Sequence, residues 1–290
     1  MNTATFKDSI SDKSSFVVLA ELTGGPGFRF DPIRKFLSAY KEQGSEALPA
    51  GFDFVGLTLP QSPGGTANID PSDLIHQARS AGLLDDLDVM PHITCKDLNS
   101  DAIVSSLVGY RNSNIKSILA LTGDKPLSAK GTFELDATSL LSLIRDMNRE
   151  SYIKAKPENL DKVHQFFPGA AVSPFKYTEA SQMQQYFKME KKITCSAEFI
   201  ITQVGWDWRK SMELFRYIED ENLDIPVIGN VYLLSTMTPA PRLMHDIKLT
   251  GCFVSDELFQ KLQAESVEQH IDRAAQQIAM YKAIGAAGVD

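Results

Sequence analysis

Residues 199–207 read FIITQVGWD. Phe199, Ile200 and Ile201 form a short apolar run of aromatic and β-branched residues, the mark of a buried strand. The chain then turns polar at Thr202 and Gln203, passes a turn, and reaches Asp207 at the head of a helix-like segment. The same order recurs at 52–60 (FDFVGLTLP), 88–97 (DVMPHITCKD), 116–124 (KSILALTGD) and 225–232 (IPVIGNVY). Helix-length crossovers between such runs make the strands parallel. Parallel α/β folds gather their chemistry at the carboxyl ends of their strands.

Outward from that stretch, FVVLAEL (16–22) is the first strand and ends in a carboxylate, Glu21. TGGPG (23–27) reads as a turn that keeps the backbone slim beside it; lacking the GxGxxG spacing, it is no dinucleotide fingerprint. Asp31-Pro32 opens a helix that runs to about Gln43. Further helices are expected at 69–82, 99–112, 135–150, 178–193, 207–222 and 266–288, and a fifth strand at GAAVSP (169–174). The loop 125–134 is polar, and the connection 151–167 carries an ambiguous helical signal. Seven strands alternating with helices favour a (β/α)8 TIM-type barrel over an open sheet, as one α/β domain spanning 16–290. The eighth strand is missing from this reading, because the last helix stops at Gly288-Val289-Asp290. The edges left open would need residues beyond 290, a partner chain, or residues 1–15 to cover them. Residues 1–15 otherwise read as a flexible or loosely docked leader.

The balance of 29 Lys+Arg against 37 Asp+Glu, net −8, argues against a nucleic-acid binder, which would show a basic face. Three cysteines (Cys95, Cys195, Cys252) without a CxxC pair read as reduced structural thiols. The polar, acid-bearing start MNTATFKDSISDKSS is neither signal peptide nor presequence, and no apolar run approaches a membrane span. These features point to the cytoplasm. The five histidines show no metal-ligand spacing, so no metal site is expected.

Among the strand-tip residues, Glu21 is the most telling. A carboxylate ending an apolar strand is costly unless it is paired or works, and burial raises its pKa toward that of a neutral-pH proton donor. Asp124 follows Gly123 and reads either as a turn former or as a site carboxylate. His92 sits on an apolar strand and reads either as a core histidine or as a cofactor contact. Lys191 and Lys192 read either as a solvated helix face or as an anion contact. Trp206 and Trp208 read as packing.

PHITC (91–95), LALTGD (119–124), ITQVGWD (201–207) and a first strand ending in Glu21 together resemble the methylenetetrahydrofolate reductase family over about residues 16–284. The resemblance implies an FAD-containing (β/α)8 barrel that reduces 5,10-methylenetetrahydrofolate with NADH or NADPH, or runs the reverse oxidation. Glu21 matches the family's general acid, and Asp124 the aspartate of its ALRGD-like motif, near flavin and pterin. Thr58, His92, Leu121, Thr122, Gly123 and Asp124 match flavin-contacting strand ends. Gln203 matches the glutamine that bonds the pterin, while Lys191 and Lys192 match a basic pair facing the FAD diphosphate. The sequence departs from the family pattern at Thr122, where an arginine is usual, and at Val172 and Lys176, where a tyrosine and a histidine contact FAD. These departures motivate an alternative, a non-redox folate- or methyl-binding barrel serving a corrinoid methyltransferase system. A homo-oligomer or a partner protein of one-carbon metabolism remains open.

Overall fold

The structure, a computed structural model, describes residues 5–23, 30–43, 48–84, 87–125, 130–154, 156, 163–246 and 251–290. Most of the expected TGGPG turn, part of loop 125–134 and part of the connection 151–167 lie outside these residues. Eight parallel strands close into a barrel in the order in which they occur in the chain. They are β1 (Phe16–Glu21), β2 (Phe52–Leu59), β3 (Asp88–Thr94), β4 (Ser117–Leu121), β5 (Phe167–Val172), β6 (Phe199–Thr202), β7 (Val227–Gly229) and β8 (Gly288–Val289). The helices are α1 (Phe6–Ser11), α2 (Phe30–Gln43), α3 (Pro71–Ser80), α4 (Ser100–Asn112), α5 (Ala137–Lys154), α6 (Glu179–Thr194), α7 (Trp208–Asp220), α8 (Ala240–His245), α9 (Asp256–Ala264) and α10 (Val267–Ala283).

The expected gap between the first and seventh strands does not exist. Gly288 and Val289 pair with Val17 and Val18 of β1 on one side and with Ile228 and Gly229 of β7 on the other. Two residues carry no periodicity, which hides this strand from pattern reading. Gly288 is required at the seam, since a Cβ there would lie 2.2 Å from the Val17 carbonyl oxygen. Strand five starts two residues earlier than expected, at Phe167, and β7 is only three residues long.

Residues 5–11 are likewise not a loose leader. Thr5 caps α1 by accepting from the Asp8 backbone N–H, and the Asp8 carboxylate accepts in return from the Thr5 N–H, a capping box. Phe6 and Ile10 of α1 are buried among Val17, Leu19, Val55, Met90, Leu119, Phe167, Phe199 and Ile228, which seals the amino-terminal end of the lumen. Outside the strands, a larger apolar layer joins Leu57, Ile93, Ala120 and Ile200 to Leu74, Leu107, Leu140 and Leu214 of the surrounding helices. Each strand thus buries both faces, which is why the runs read as nearly continuous apolar stretches.

One irregularity positions the site. The register of β1 on β2 slips at Val18/Leu19, from Phe54 to Gly56, which leaves Val55 as an extra residue in β2. Past this bulge Leu57 and Leu59 face the helices, and Thr58 faces the lumen. Among the described residues no helix is long and apolar enough to cross a membrane.

Candidate active site

At the carboxyl end the lumen lining changes from apolar to polar within one turn of the pleat. Glu21, His92 and Asp290 meet there, with one ligand-type atom of each within 4.8 Å of the others. Thr58 joins them: its hydroxyl lies 3.1 Å from both Asp290 carboxyl oxygens and donates to them. Asp290 follows β8 directly and is pinned by its backbone, donating to the Gly229 carbonyl at 3.0 Å and accepting from the Val231 N–H at 2.9 Å. Its side chain therefore points into the lumen from a fixed frame.

The electrostatics of this layer are unusual for a closed interior. Burial, reinforced by the Glu21 charge, raises the Asp290 carboxyl above the ordinary carboxylate range. Crowding by protein raises Glu21 as well, although its side chain is open to the cleft. His92 is buried; desolvation pushes its imidazole down to about 3, so it stays neutral, and among the described residues its Nε2 has no hydrogen-bond partner. An unpartnered polar atom in a dry interior costs about 1–3 kcal/mol unless something binds to it.

Asp124 stands beyond the end of β4, half-buried. Burial raises its carboxyl, opposed by the Gly64 backbone and by the Lys96 charge. Lys96, buried and ion-paired with Asp97 at 3.0 Å, is a cation that the sequence reading did not single out. It lies beside Gly123, where an added Cβ would come within 2.9 Å of the Lys96 Cβ. Lys96 thus brings positive charge to the neighbourhood of Thr122, where the family pattern has an arginine. Cys252 also borders this region: burial, then the Asp124 and Glu21 charges, pushes its thiol up to about 11.

The remaining residues singled out from the sequence are less concentrated. Gln203, at the tip of β6, accepts from the Val204 N–H at 2.9 Å, and its Nε2 faces Gly251. Thr122 accepts the Ala137 N–H at 3.1 Å and so caps the start of α5. Lys192 is held between α6 and β5, where its amine donates to the Ala171 carbonyl at 2.6 Å. Burial pushes that amine down to about 8. Lys191 is exposed on the last turn of α6, and Lys176 lines a groove of about 1000 Å³ with Tyr177, Trp206 and Trp208. Asp207 is the N-cap of α7 and accepts from the Arg209 N–H at 3.1 Å. Asp290 was missed by sequence reasoning. GVD repeats the apolar-run, polar-tip order in miniature, and that was the one available signal.

The sequence profile named Methylenetetrahydrofolate reductase matches residues 53–288. The chain belongs to the methylenetetrahydrofolate reductase family. Among its relatives, the 5,10-methylenetetrahydrofolate reductase of Escherichia coli is 24% identical over 157 residues, 54% of this chain and 47% of that protein. Methylenetetrahydrofolate reductase 2 of Saccharomyces cerevisiae is 24% identical over 186 residues, 63% of this chain and 29% of that protein. The match therefore spans about half the length of the bacterial relative and less than a third of the yeast one. Among solved structures, an uncharacterized protein from Clostridium thermocellum that binds two copies of 5-methyl-5,6,7,8-tetrahydrofolic acid aligns with a TM-score of 0.59 at 13% identity. The alignment covers 98% of this chain and 91% of that one. A 2,3-dimethylmalate lyase aligns with a TM-score of 0.52 at 14% identity, over 100% of this chain and 79% of the other. At these identities the structural likenesses establish the barrel. In this reductase-family member, Thr58 and His92 of the polar layer fall within the matched residues, and Glu21 and Asp290 lie outside them.

Proposed function

We propose that the carboxyl face of this barrel binds 5,10-methylenetetrahydrofolate and reduces it to 5-methyltetrahydrofolate, with FAD and NAD(P)H as the electron carriers. The observation that supports this most is Glu21, open to the cleft yet set in surroundings that favour its protonated form. Two features of the residues present fit FAD: the buried Nε2 of His92, unpartnered among the described residues, and Lys192, a half-buried cation whose amine donates to a carbonyl oxygen. Thr58, His92 and residues 121–124 would hold the flavin ring, and Lys192, with Lys191 and Lys176, the diphosphate. Bound there, the flavin supplies hydride chemistry.

The chain's own part is binding and proton transfer. Gln203 and Asp124 orient the pterin by hydrogen bonds. Glu21 gives its proton to N10: the O–H bond breaks and an N–H bond forms. The bond from N10 to the bridging carbon then breaks, with its electron pair going to nitrogen, and leaves an iminium at N5. The carboxylate left behind faces that new positive charge and stabilises it. Water in the open cleft restores the proton after product leaves. In the oxidative direction the same groups act in reverse.

A second reading, a non-redox barrel that holds a folate for a corrinoid methyltransferase system, is favoured by Thr122, whose side chain is occupied in capping α5. Equilibrium dialysis of the purified chain against excess FAD, and separately against 5-methyltetrahydrofolate, separates the two. Binding of both, with a flavin absorbance spectrum, supports the reductase. Folate binding without flavin supports the second reading, and failure to bind folate ends both.

A further inference from the structure

The carboxyl end of the lumen holds one more group than the proposed reaction needs. Glu21 alone would serve as the proton donor, yet Asp290 sits within 4.8 Å of the same cluster, enclosed by β1, β2, β3 and β8. We infer that Glu21 and Asp290 form a carboxyl pair that holds one proton between them, with Asp290 the positioning residue that keeps Glu21 supplied with it. This rests on the proposed role of Glu21.

The geometry supports this in three ways. Asp290 has its backbone fixed by bonds to Gly229 and Val231, and its side chain is buried with both oxygens 3.1 Å from the Thr58 hydroxyl, which holds its carboxyl beside Glu21. The Thr58 hydroxyl donates to the Asp290 oxygens and offers them one proton's worth of hydrogen bonding, too little to stabilise a second negative charge nearby. Among the described residues, the other titratable neighbours supply no positive charge to the pair. His92, on β3, is neutral and its Nε2 is unpartnered. Asp124, beyond β4, is another carboxyl, and Cys252 keeps its thiol proton. The Lys96 charge acts on Asp124, and no lysine or arginine acts on Glu21 or Asp290 among the described residues. Two carboxylates this close, one of them buried, do not both ionise readily at neutral pH, and the pair titrates as a unit.

The two members differ in access. Asp290 is buried and closed off from substrate, whereas Glu21 opens to the cleft. The shared proton therefore leaves through Glu21, and the doubly negative pair is tolerated only while it faces the iminium cation that the transfer creates. When product leaves, that cation is gone and the pair reclaims a proton from water.

The test uses the full chain without added ligand and again in the folate half-reaction. Infrared difference titration of the unliganded protein should show a protonated carboxyl that persists through neutral pH and is lost in Asp290→Asn. In the folate half-reaction, Asp290→Asn should move the alkaline loss of rate downward by about one pH unit or more. That makes it about tenfold slower above the parental midpoint and near parental well below it. Asp290→Glu should restore the profile. An unchanged infrared titration, an unmoved midpoint, or an equal loss of rate at all pH values would overturn the pair, the last marking Asp290 as structural. Zn²⁺ binding at micromolar concentration, lost in Asp290→Asn, would also overturn it by marking a metal seat. If Glu21→Gln leaves the folate half-reaction at the parental rate, it is the assigned role of Glu21 that fails, and the infrared titration still judges the pair.

Discussion

The two ends of the barrel lumen are built from the same strands and follow opposite rules. At the amino-terminal end the lumen is filled by apolar packing. Phe6, Phe167 and Phe199 meet at ring-centroid distances of 5.0–5.9 Å, and Ile10 fills the space beside them. A carboxylate there, Asp88, accepts from the Phe6 N–H at 3.0 Å and the Val89 N–H at 2.9 Å. A few residues further along the same strands, Glu21 and Asp290 lie close together and His92 leaves a nitrogen unpaired. An interior that concentrates such costs at one end separates stability from chemistry, as barrels of this class do.

That contrast can be broken from the apolar end first. Phe199→Ala removes the ring against which Phe6 and Phe167 pack, and should cost about 3–5 kcal/mol in urea unfolding. Folate affinity per folded molecule should stay unchanged. A matching loss of affinity would show that the two ends are not separable. Gly169→Ala tests the same packing by addition. Its new Cβ would fall 2.2 Å from the Phe199 ring, for a loss of roughly 1–3 kcal/mol.

The polar end predicts a pH dependence of definite sign. Carboxyls whose folded pKa is raised bind more protons in the native state than in the unfolded one, so their stability contribution is full at low pH. It is lost as pH rises from the unfolded carboxylate range through the raised folded values. The parent protein should therefore melt progressively lower on the alkaline side. Asp290→Asn should flatten that decline, by about 1 kcal/mol for every pH unit by which the carboxyl that remains returns toward its ordinary range. A decline that survives in the variant would deny the pair its strain. The smallest effect expected is at the cap of α1, where Thr5→Ala should cost about 0.5–2 kcal/mol and leave ligand binding untouched.

How much of this was legible in the sequence follows from the size of each signal. The barrel was readable because seven strands each repeat an apolar run with a polar end, and Glu21, Thr58 and His92 were readable as tips of three of them. Strand β8 was not, since Gly288 and Val289 are held by the register of their neighbours rather than by any pattern of their own. Asp290 was lost with it. The lodging of α1 in the lumen was hidden because Phe6 and Ile10 are two apolar residues in a polar stretch, and only the closed barrel gives them a place to go. Asp207, which reads as the head of a helix-like segment, is the N-cap of α7 and accepts from the Arg209 N–H.

The central claim is that Glu21 donates a proton only when folate is opened. Stopped-flow measurement of the two half-reactions in Glu21→Gln tests it directly, because glutamine keeps the size and hydrogen bonding of the side chain and cannot donate that proton. The account predicts flavin reduction by NAD(P)H at near the parental rate, and reoxidation by 5,10-methylenetetrahydrofolate slower by about two decades or more. Equal losses in both half-reactions, or none in the folate half, would contradict it.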